Sequence, residues 1–156
     1  MQLSTTWNRA VFAAGIDIGY VMTASVGLPH RFKLYEVLMA VDDASGDDLL
    51  LWRVRRRTTL GDGGANPLVH LDGSDIATTS LQSFGTLGTP VTVNGTNGGI
   101  VLEVPLNQRA TWRWVAAPGG EFVSSNATDN GFGVSSTKKP VAGNVIQSVC
   151  AKVEEI

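Results

Sequence analysis

The chain has 156 residues, of which 43% are hydrophobic, 17% are charged and 18 are glycine. This size fits one domain with a single core, and the composition excludes both a disordered chain and a helix-rich one. Its 12 basic and 14 acidic residues nearly balance, which excludes a general positive field for holding nucleic acid or an anionic membrane. The single cysteine, Cys150, excludes an intrachain disulfide and is expected to be a buried, inert thiol.

Residues 1–28 lack a sustained period of either two or 3.6 residues. Isolated large apolar side chains, among them Trp7, Phe12 and Tyr20, are scattered between small and polar residues. The pattern predicts an extended N-terminal arm, or an arm plus a marginal strand. The folded domain is expected to comprise residues 29–156.

Two segments with strand character follow the arm. Residues 31–41 are rich in β-compatible side chains and end at an acidic turn, residues 42–48. The segment that follows the turn alternates between an apolar face of Leu50, Trp52 and Val54 and a basic face of Arg53, Arg55 and Arg57. Alternation of this kind makes Trp52 a core residue. The two segments are predicted to be antiparallel neighbours in one sheet.

The remainder of the chain is also predicted to be β. Residues 61–67 are too rich in glycine and proline to continue the preceding strand, and residues 68–88 are interpreted as a long connection, with one helical turn at residues 75–79. Further strands are expected at residues 89–93, 99–106, 110–117, 131–137 and 144–154. About seven or eight short strands without a usable helix predict an all-β fold, a single β-sandwich of Greek-key or jelly-roll type.

The stretch LNQRATWRWVAAPGGEF, residues 106–122, combines two tryptophans with two arginines. Strand alternation separates them, because Trp112 and Trp114 fall on one face and Arg109 and Arg113 on the other. The tryptophans are therefore predicted to fill the core. Replacing either one by Ala is expected to cost about 3–5 kcal/mol if the indole is fully buried.

No pattern for catalysis, a cofactor or a metal stands out. The two histidines, His30 and His70, have no Cys or carboxylate beside them at a zinc-like spacing, and the acidic turn at 42–48 lacks the order of an EF-hand. Nucleophile and phosphate-loop motifs are absent from the sequence. A glycosidase would need paired carboxylates, for which only Glu36 and Glu103 are strand-centred. The sequence thus predicts a protein that is not an enzyme.

The arginine cluster on the second strand leaves two interpretations open. One is a solvated strand face or a protein contact, and the other is binding to phosphate groups. Because no aromatic side chain stands among the outward arginines to stack on bases, direct nucleic-acid binding is not expected. A membrane partner is not expected either, since no apolar run approaches the roughly 18 residues that a spanning helix needs.

The stretch at residues 106–122 also resembles a known family. Together with the strand at residues 32–37 and the loop at 71–77, it is similar to small proteins common in the genomes of tailed phages. The resemblance covers residues 31–156, and the sequence departs from the family in its long N-terminal segment and its four-arginine strand. It implies a jelly-roll virion protein that decorates or cements an icosahedral head, often as a homotrimer.

Two functions follow from this resemblance. The first is a structural protein on the outer surface of the head, assembled in the host cytoplasm and bound to the major capsid protein. The contact residues expected for it are Trp7, Phe12 and Tyr20 of the arm and Arg53, Arg55 and Arg57 of the strand. The alternative is an adhesion module of a head or tail that recognises a host glycan or receptor through the loops at residues 94–99 and 124–131. Deletion of residues 1–28 is expected to leave a folded sandwich that no longer binds capsids.

Overall fold

The computed structural model describes residues 1–10, 17–23, 31–41, 49–58, 64–73, 81–85, 99–107, 109–137 and 146–156. These residues form twelve strands in two antiparallel sheets that pack face to face. The strands are β1 (Gln2–Ala10), β2 (Asp17–Thr23), β3 (Phe32–Val41), β4 (Leu49–Arg57), β5 (Gly64–Asn66), β6 (Val69–His70), β7 (Leu81–Gly85), β8 (Ile100–Asn107), β9 (Trp112–Val115), β10 (Phe122–Val123), β11 (Gly131–Thr137) and β12 (Ile146–Glu155). The predicted all-β sandwich is confirmed.

The first sheet has the strand order β10-β3-β12-β1-β6, and β9 also pairs with β3. Since β12 lies along one side of β3, β9 and β10 share its other side and form one interrupted edge strand. The second sheet has the order β5-β7-β2-β11-β4-β8. Most consecutive strands belong to opposite sheets, so the chain repeatedly crosses from one layer to the other.

The segment predicted to be an arm forms two interior strands instead. β1 lies between β12 and β6 in the first sheet, while β2 lies between β7 and β11 in the second. Trp7 and Tyr20, expected to be exposed contact residues, are 3% and 0% exposed. Phe12, the third expected contact residue of the arm, lies outside the described residues. The prediction of an arm, with a domain boundary after it, is therefore wrong for residues 2–10 and 17–23.

β1 could not be predicted as a strand because its inward face includes a polar residue as well as apolar ones. Thr5 lies between the buried Leu3 and Trp7 on that face, and its hydroxyl is 2.8 Å from the hydroxyl of Ser83 on β7. The Trp7 indole donates to the same Ser83 oxygen at 3.1 Å. A Cβ built on Gly19 of β2 would overlap the Trp7 ring, so β1 and β2 pack closely only because this position is glycine.

β3 and β4 are not neighbours, contrary to the prediction from their short connection. β3 pairs with β12, β9 and β10 in the first sheet, whereas β4 pairs with β11 and β8 in the second. The Gly- and Pro-rich segment at residues 61–67 contains β5, and the long connection predicted at residues 68–88 contains β6 and β7. The helical turn predicted at residues 75–79 and the strand predicted at 89–93 lie outside the described residues.

A β-bulge in β3 changes which side chains face the core. Leu34 pairs with Val153 and Glu36 pairs with Lys152, so Tyr35 is an extra residue in the ladder. Side chains before the bulge are buried at even positions and those after it at odd positions, beginning with Val37. The bulge explains why residues 31–41 show no single alternating pattern.

The core lies between the sheets and draws apolar side chains from both. Its buried members are Leu3, Trp7, Ile18, Val21, Phe32, Leu34, Val37, Met39, Leu50, Trp52, Val54, Phe132, Val134, Val149, Ala151 and Val153. Trp52 is 1% exposed, as predicted for a core residue. Trp112 and Trp114 share one face, as alternation required, but they are only partly buried because β9 is an edge strand.

Candidate functional site

A cavity of about 330 Å³ opens at one end of the sandwich. Its walls come from the end of β4 and from the loop between β10 and β11. The lining residues are Arg56, Arg57, Thr58, Ser124, Ser125, Asn130 and Gly131. The loop at residues 124–131, proposed from the sequence as a recognition loop, thus forms one wall, whereas residues 94–98 of the other proposed loop lie outside the described residues.

The β10–β11 loop is held at both of its ends by hydrogen bonds to neighbouring strands. At its start, the Ser124 backbone N–H donates to the Phe32 carbonyl, and the Phe32 N–H donates to the Ser124 hydroxyl, both at 2.9 Å. At its end, the Thr23 hydroxyl donates to the Ala127 carbonyl at 2.6 Å and accepts from the Asn130 N–H at 3.1 Å. The wall of the cavity is therefore fixed before any ligand enters.

Arg56 stands exposed at the mouth of the cavity in a defined position. Its guanidinium carbon lies 5.2 Å above the centre of the Phe132 ring, and its Nη1 donates to the Val123 carbonyl at 3.0 Å. Val123 belongs to the first sheet and Arg56 to the second, so the hydrogen bond also ties the two layers together at this end. Arg56 is the basic residue best placed to meet a ligand.

Arg57 occupies a different environment from its neighbour. It is 1% exposed, and its guanidinium carbon lies 3.6 Å from the centre of the Tyr20 ring. Tyr20 and Arg57 were both expected to be exposed contact residues, and burial of their side chains contradicts that expectation. Arg57 lies on the same face of β4 as Arg53 and Arg55, as alternation predicts, but the outer face of the second sheet is covered at this position.

The other two arginines of the predicted interface are partly exposed. Arg53 pairs with Glu103 on β8, with 2.6 Å between Nε and Oε2, and 25% of its side chain is exposed. Arg55 is intermediate in exposure. The basic face therefore contains a cross-strand ion pair and no open row of cations, while Arg56, which the alternation assigned to the opposite face, is the exposed arginine.

An aromatic stack continues from Phe132 along the same edge of the sandwich. The Phe122 ring is 6.1 Å from the Phe132 ring and lies in parallel with Trp114, 4.6 Å between centres. Stacked rings of this kind fix one another in place. Phe132 in turn contacts the Arg56 guanidinium, and the contact with Phe122 covers part of Trp114 although β9 is an edge strand.

The two strand-centred carboxylates do not form a pair. Glu36 lies on the outer face of the first sheet and Glu103 on the outer face of the second, so the sandwich separates them. Arg113 binds Glu36 through two hydrogen bonds of 2.9 and 2.8 Å, and Lys152 approaches it to 3.1 Å. Hydrogen bonding from Arg113 holds the pKa of the Glu36 carboxyl below its ordinary value, outweighing burial, which raises it. Glu36 and Glu103 therefore cannot flank one glycosidic bond.

The remaining sequence candidates contribute little to this site. Within the described ranges, no three His, Cys, Asp or Glu side chains come together as a metal site. His70 lies on β6, while His30 and the acidic turn at residues 42–48 fall outside the described residues. No α-helix that could span a bilayer occurs in the part of the chain that the structure describes.

Comparison with protein-family models, with curated proteins and with solved structures finds no match for this chain.

Proposed function

We propose that the sandwich is a jelly roll. If β9 and β10 count as one strand, the first sheet contains β1-β12-β3-β9/β10 and the second contains β2-β11-β4-β8. In the first sheet β1 pairs with β12, and in the second β2 pairs with β11. Pairing of early with late strands in both sheets is expected of a jelly roll, in which two Greek keys form two packed sheets. β5, β6 and β7 then form an insertion that extends both sheets on the same side.

We further propose that the chain is a non-enzymatic structural protein of a virion, which decorates or cements the outer surface of a tailed-phage head. The observation that carries this proposal is the strand order, because it fits the jelly roll that the resemblance at residues 106–122 implies. The ion pairs that occupy Glu36 and Glu103 on opposite faces agree with a structural role. Because fold alone does not specify function, binding of the protein to phage heads tests the assignment.

Attachment to the major capsid protein must then use the surface of the sandwich, since residues 2–10 and 17–23 belong to its sheets. Exposed apolar side chains gather at the end of the first sheet, where the Leu71 N–H donates to the Gln2 carbonyl and the Ile156 N–H to the Arg31 carbonyl. Leu71 is 47% exposed and Ile156 is 51% exposed. We place the capsid contact at this end, which also carries the cavity, because Ser124 bonds to the first residue of β3 there.

The test adds purified protein to phage heads that lack it and images the particles. We expect many copies at symmetric positions on the head, each site with the mass of a homotrimer, three times the 16.5 kDa of one chain. Leu71→Asp and Ile156→Asp should lower occupancy. Leu49→Asp is the matched control, because Leu49 is 61% exposed but begins β4 at the opposite end of the sandwich. Failure to bind heads, or binding by a few copies at a vertex or tail, would contradict the decorating role.

A second candidate function is a module that binds a host glycan or receptor. The observation that favours it is the cavity at the β10–β11 loop, whose wall is fixed by hydrogen bonds and whose mouth carries an exposed arginine. Binding of the purified protein to host cells, with few copies per particle, would support this function. Occupancy of the whole head surface without host-cell binding would support decoration.

A further inference from the structure

We infer that the cavity at the end of the sandwich binds the oxyanion group of an acidic saccharide, a carboxylate or a sulfate, and that Arg56 holds this group. The inference rests on the second candidate function and names its ligand class. Arg56 lies among side chains that carry hydroxyl and amide groups, and binding of the oxyanion to them requires neither a metal nor a cofactor.

The charge of the lining selects an anion. Among the described residues that line the cavity, two are arginines, three carry hydroxyls and one carries an amide, and none of them is acidic. Arg56 uses Nη1 for the Val123 carbonyl, and a guanidinium has five N–H donors in a planar fork that matches two oxygens of an oxyanion. Asp129 is close in sequence, but it does not line the cavity. A negative group entering the cavity would therefore meet donors and a cation.

The size of the cavity and the hydroxyl groups that line it favour binding of a saccharide rather than an inorganic ion. Small-molecule sites commonly measure about 300–1,000 Å³, and the cavity, at about 330 Å³, reaches that range. The Ser124 hydroxyl accepts from the Phe32 N–H and keeps its own proton to donate. Such donors and acceptors, set beside a cation, suit the hydroxyls of a sugar that bears one acidic group.

The site is organised in advance, which lowers the cost of binding. The Phe132 ring and the Val123 carbonyl fix the Arg56 side chain, and Thr23 fixes the loop wall. A Cβ at Gly131 would collide with the Val21 carbonyl, so only glycine lets β11 begin this close to β2. Because few groups must be ordered when a ligand arrives, a modest set of contacts can yield measurable affinity.

The test is a calorimetric or NMR titration of the full chain with glucuronate and with glucose 6-sulfate, with glucose and inorganic sulfate as comparison ligands. We expect saturable binding of both acidic sugars, weaker binding of inorganic sulfate and none of glucose. Added NaCl should weaken the binding, because the cavity is open to solvent. Arg56→Gln should weaken it roughly tenfold or more, the usual effect of losing a hydrogen bond to a charged group.

Arg53→Gln is the matched control, since it removes the same charge from the same strand but on the outer face, where Arg53 pairs with Glu103. It should leave the affinity unchanged. An unaltered thermal unfolding midpoint of Arg56→Gln would show that the variant is folded. Equal loss of affinity in both variants would show that the net charge of the protein, and not the position of Arg56, controls binding. Either that result or the absence of saturable binding would overturn the inference. Neither result would decide head decoration or host-cell binding, which are measured separately.

Discussion

Charged residues at the centres of strands are stabilised by partners on adjacent strands. Glu36 is 8% exposed although it lies on an outer face, because Arg113 and Lys152 flank it on the neighbouring strands. The sequence contained both ends of these pairs, but it did not reveal that β9 and β12 would lie on either side of β3. The pairing of strands in the sheet, which cannot be predicted from the local sequence pattern, determines that these charged residues form ion pairs.

Glu36 should make stability depend on pH. Its pKa in the folded protein is lowered from the ordinary value of 4.5, chiefly by the Arg113 hydrogen bonds. A lowered folded-state pKa stabilises the fold above the ordinary pKa, and the stabilisation is lost as pH falls through the folded-state value. Glu36→Gln should therefore reduce the free energy of unfolding by about 1 kcal/mol at neutral pH and flatten its decline in acid, as measured by urea unfolding at several pH values.

Glu103→Gln is the control for this change, since the Glu103 side chain is 42% exposed and has one arginine partner. It should produce a smaller loss and leave the acid decline in place. An unchanged acid decline in Glu36→Gln would show that this carboxylate does not control the pH dependence.

At the scale of the element, β1 and β2 show why an interior strand can lack a clear alternation of apolar and polar residues. β1 has the polar Thr5 on its inward face, and β2 buries the consecutive residues from Ile18 to Thr23, so neither shows a clean period of two. The bulge at Tyr35 has the same effect on β3. In each case a contact with another strand, rather than the strand's own sequence, determines which side chains face inward.

Deletion of residues 1–28 should therefore unfold the protein. The deletion removes interior strands from both sheets and the buried side chains of Leu3, Trp7 and Tyr20. We expect loss of the cooperative thermal transition and of the near-UV circular dichroism signal. A folded, cooperatively melting truncated chain would instead support the arm predicted from the sequence.

At the scale of the whole molecule, the two sheets depend on each other. β1 pairs with β12, and β2 pairs with β11, so strands from opposite ends of the chain are joined in both layers. Hydrogen bonds between the layers, such as Ser136 to Gln147 and Arg56 to Val123, connect them further. Neither sheet has a continuous stretch of chain from which to fold alone.

A single unfolding transition should result. Tryptophan fluorescence reports the buried Trp7 and Trp52 and the partly buried Trp112 and Trp114. It should give the same urea midpoint as far-UV circular dichroism, which reports both sheets. Separate midpoints for the two signals would show that one layer persists without the other. Folding is expected to be slow for the size of the chain, because most contacts join distant residues.

The sequence by itself determined the fold class, several strands and the division of β9 into two faces. The strand near residues 99–106 and the core position of Trp52 could be predicted because more and less buried side chains alternate along most of β8 and β4. These features depend on neighbouring residues in the chain and on the period of two that a strand imposes.

Only the tertiary structure decided which strands pair, whether residues 2–10 and 17–23 stand apart, and where the candidate site lies. The cavity is lined by residues 56–58 and by residues 124, 125, 130 and 131, which are distant in the chain and meet because β4 pairs with β11, the strand that follows the β10–β11 loop. Arg56 and Arg57 are adjacent and chemically identical, yet one is exposed and the other is buried against Tyr20. Burial depends on what other segments cover each face, and that information is not local to any stretch of sequence.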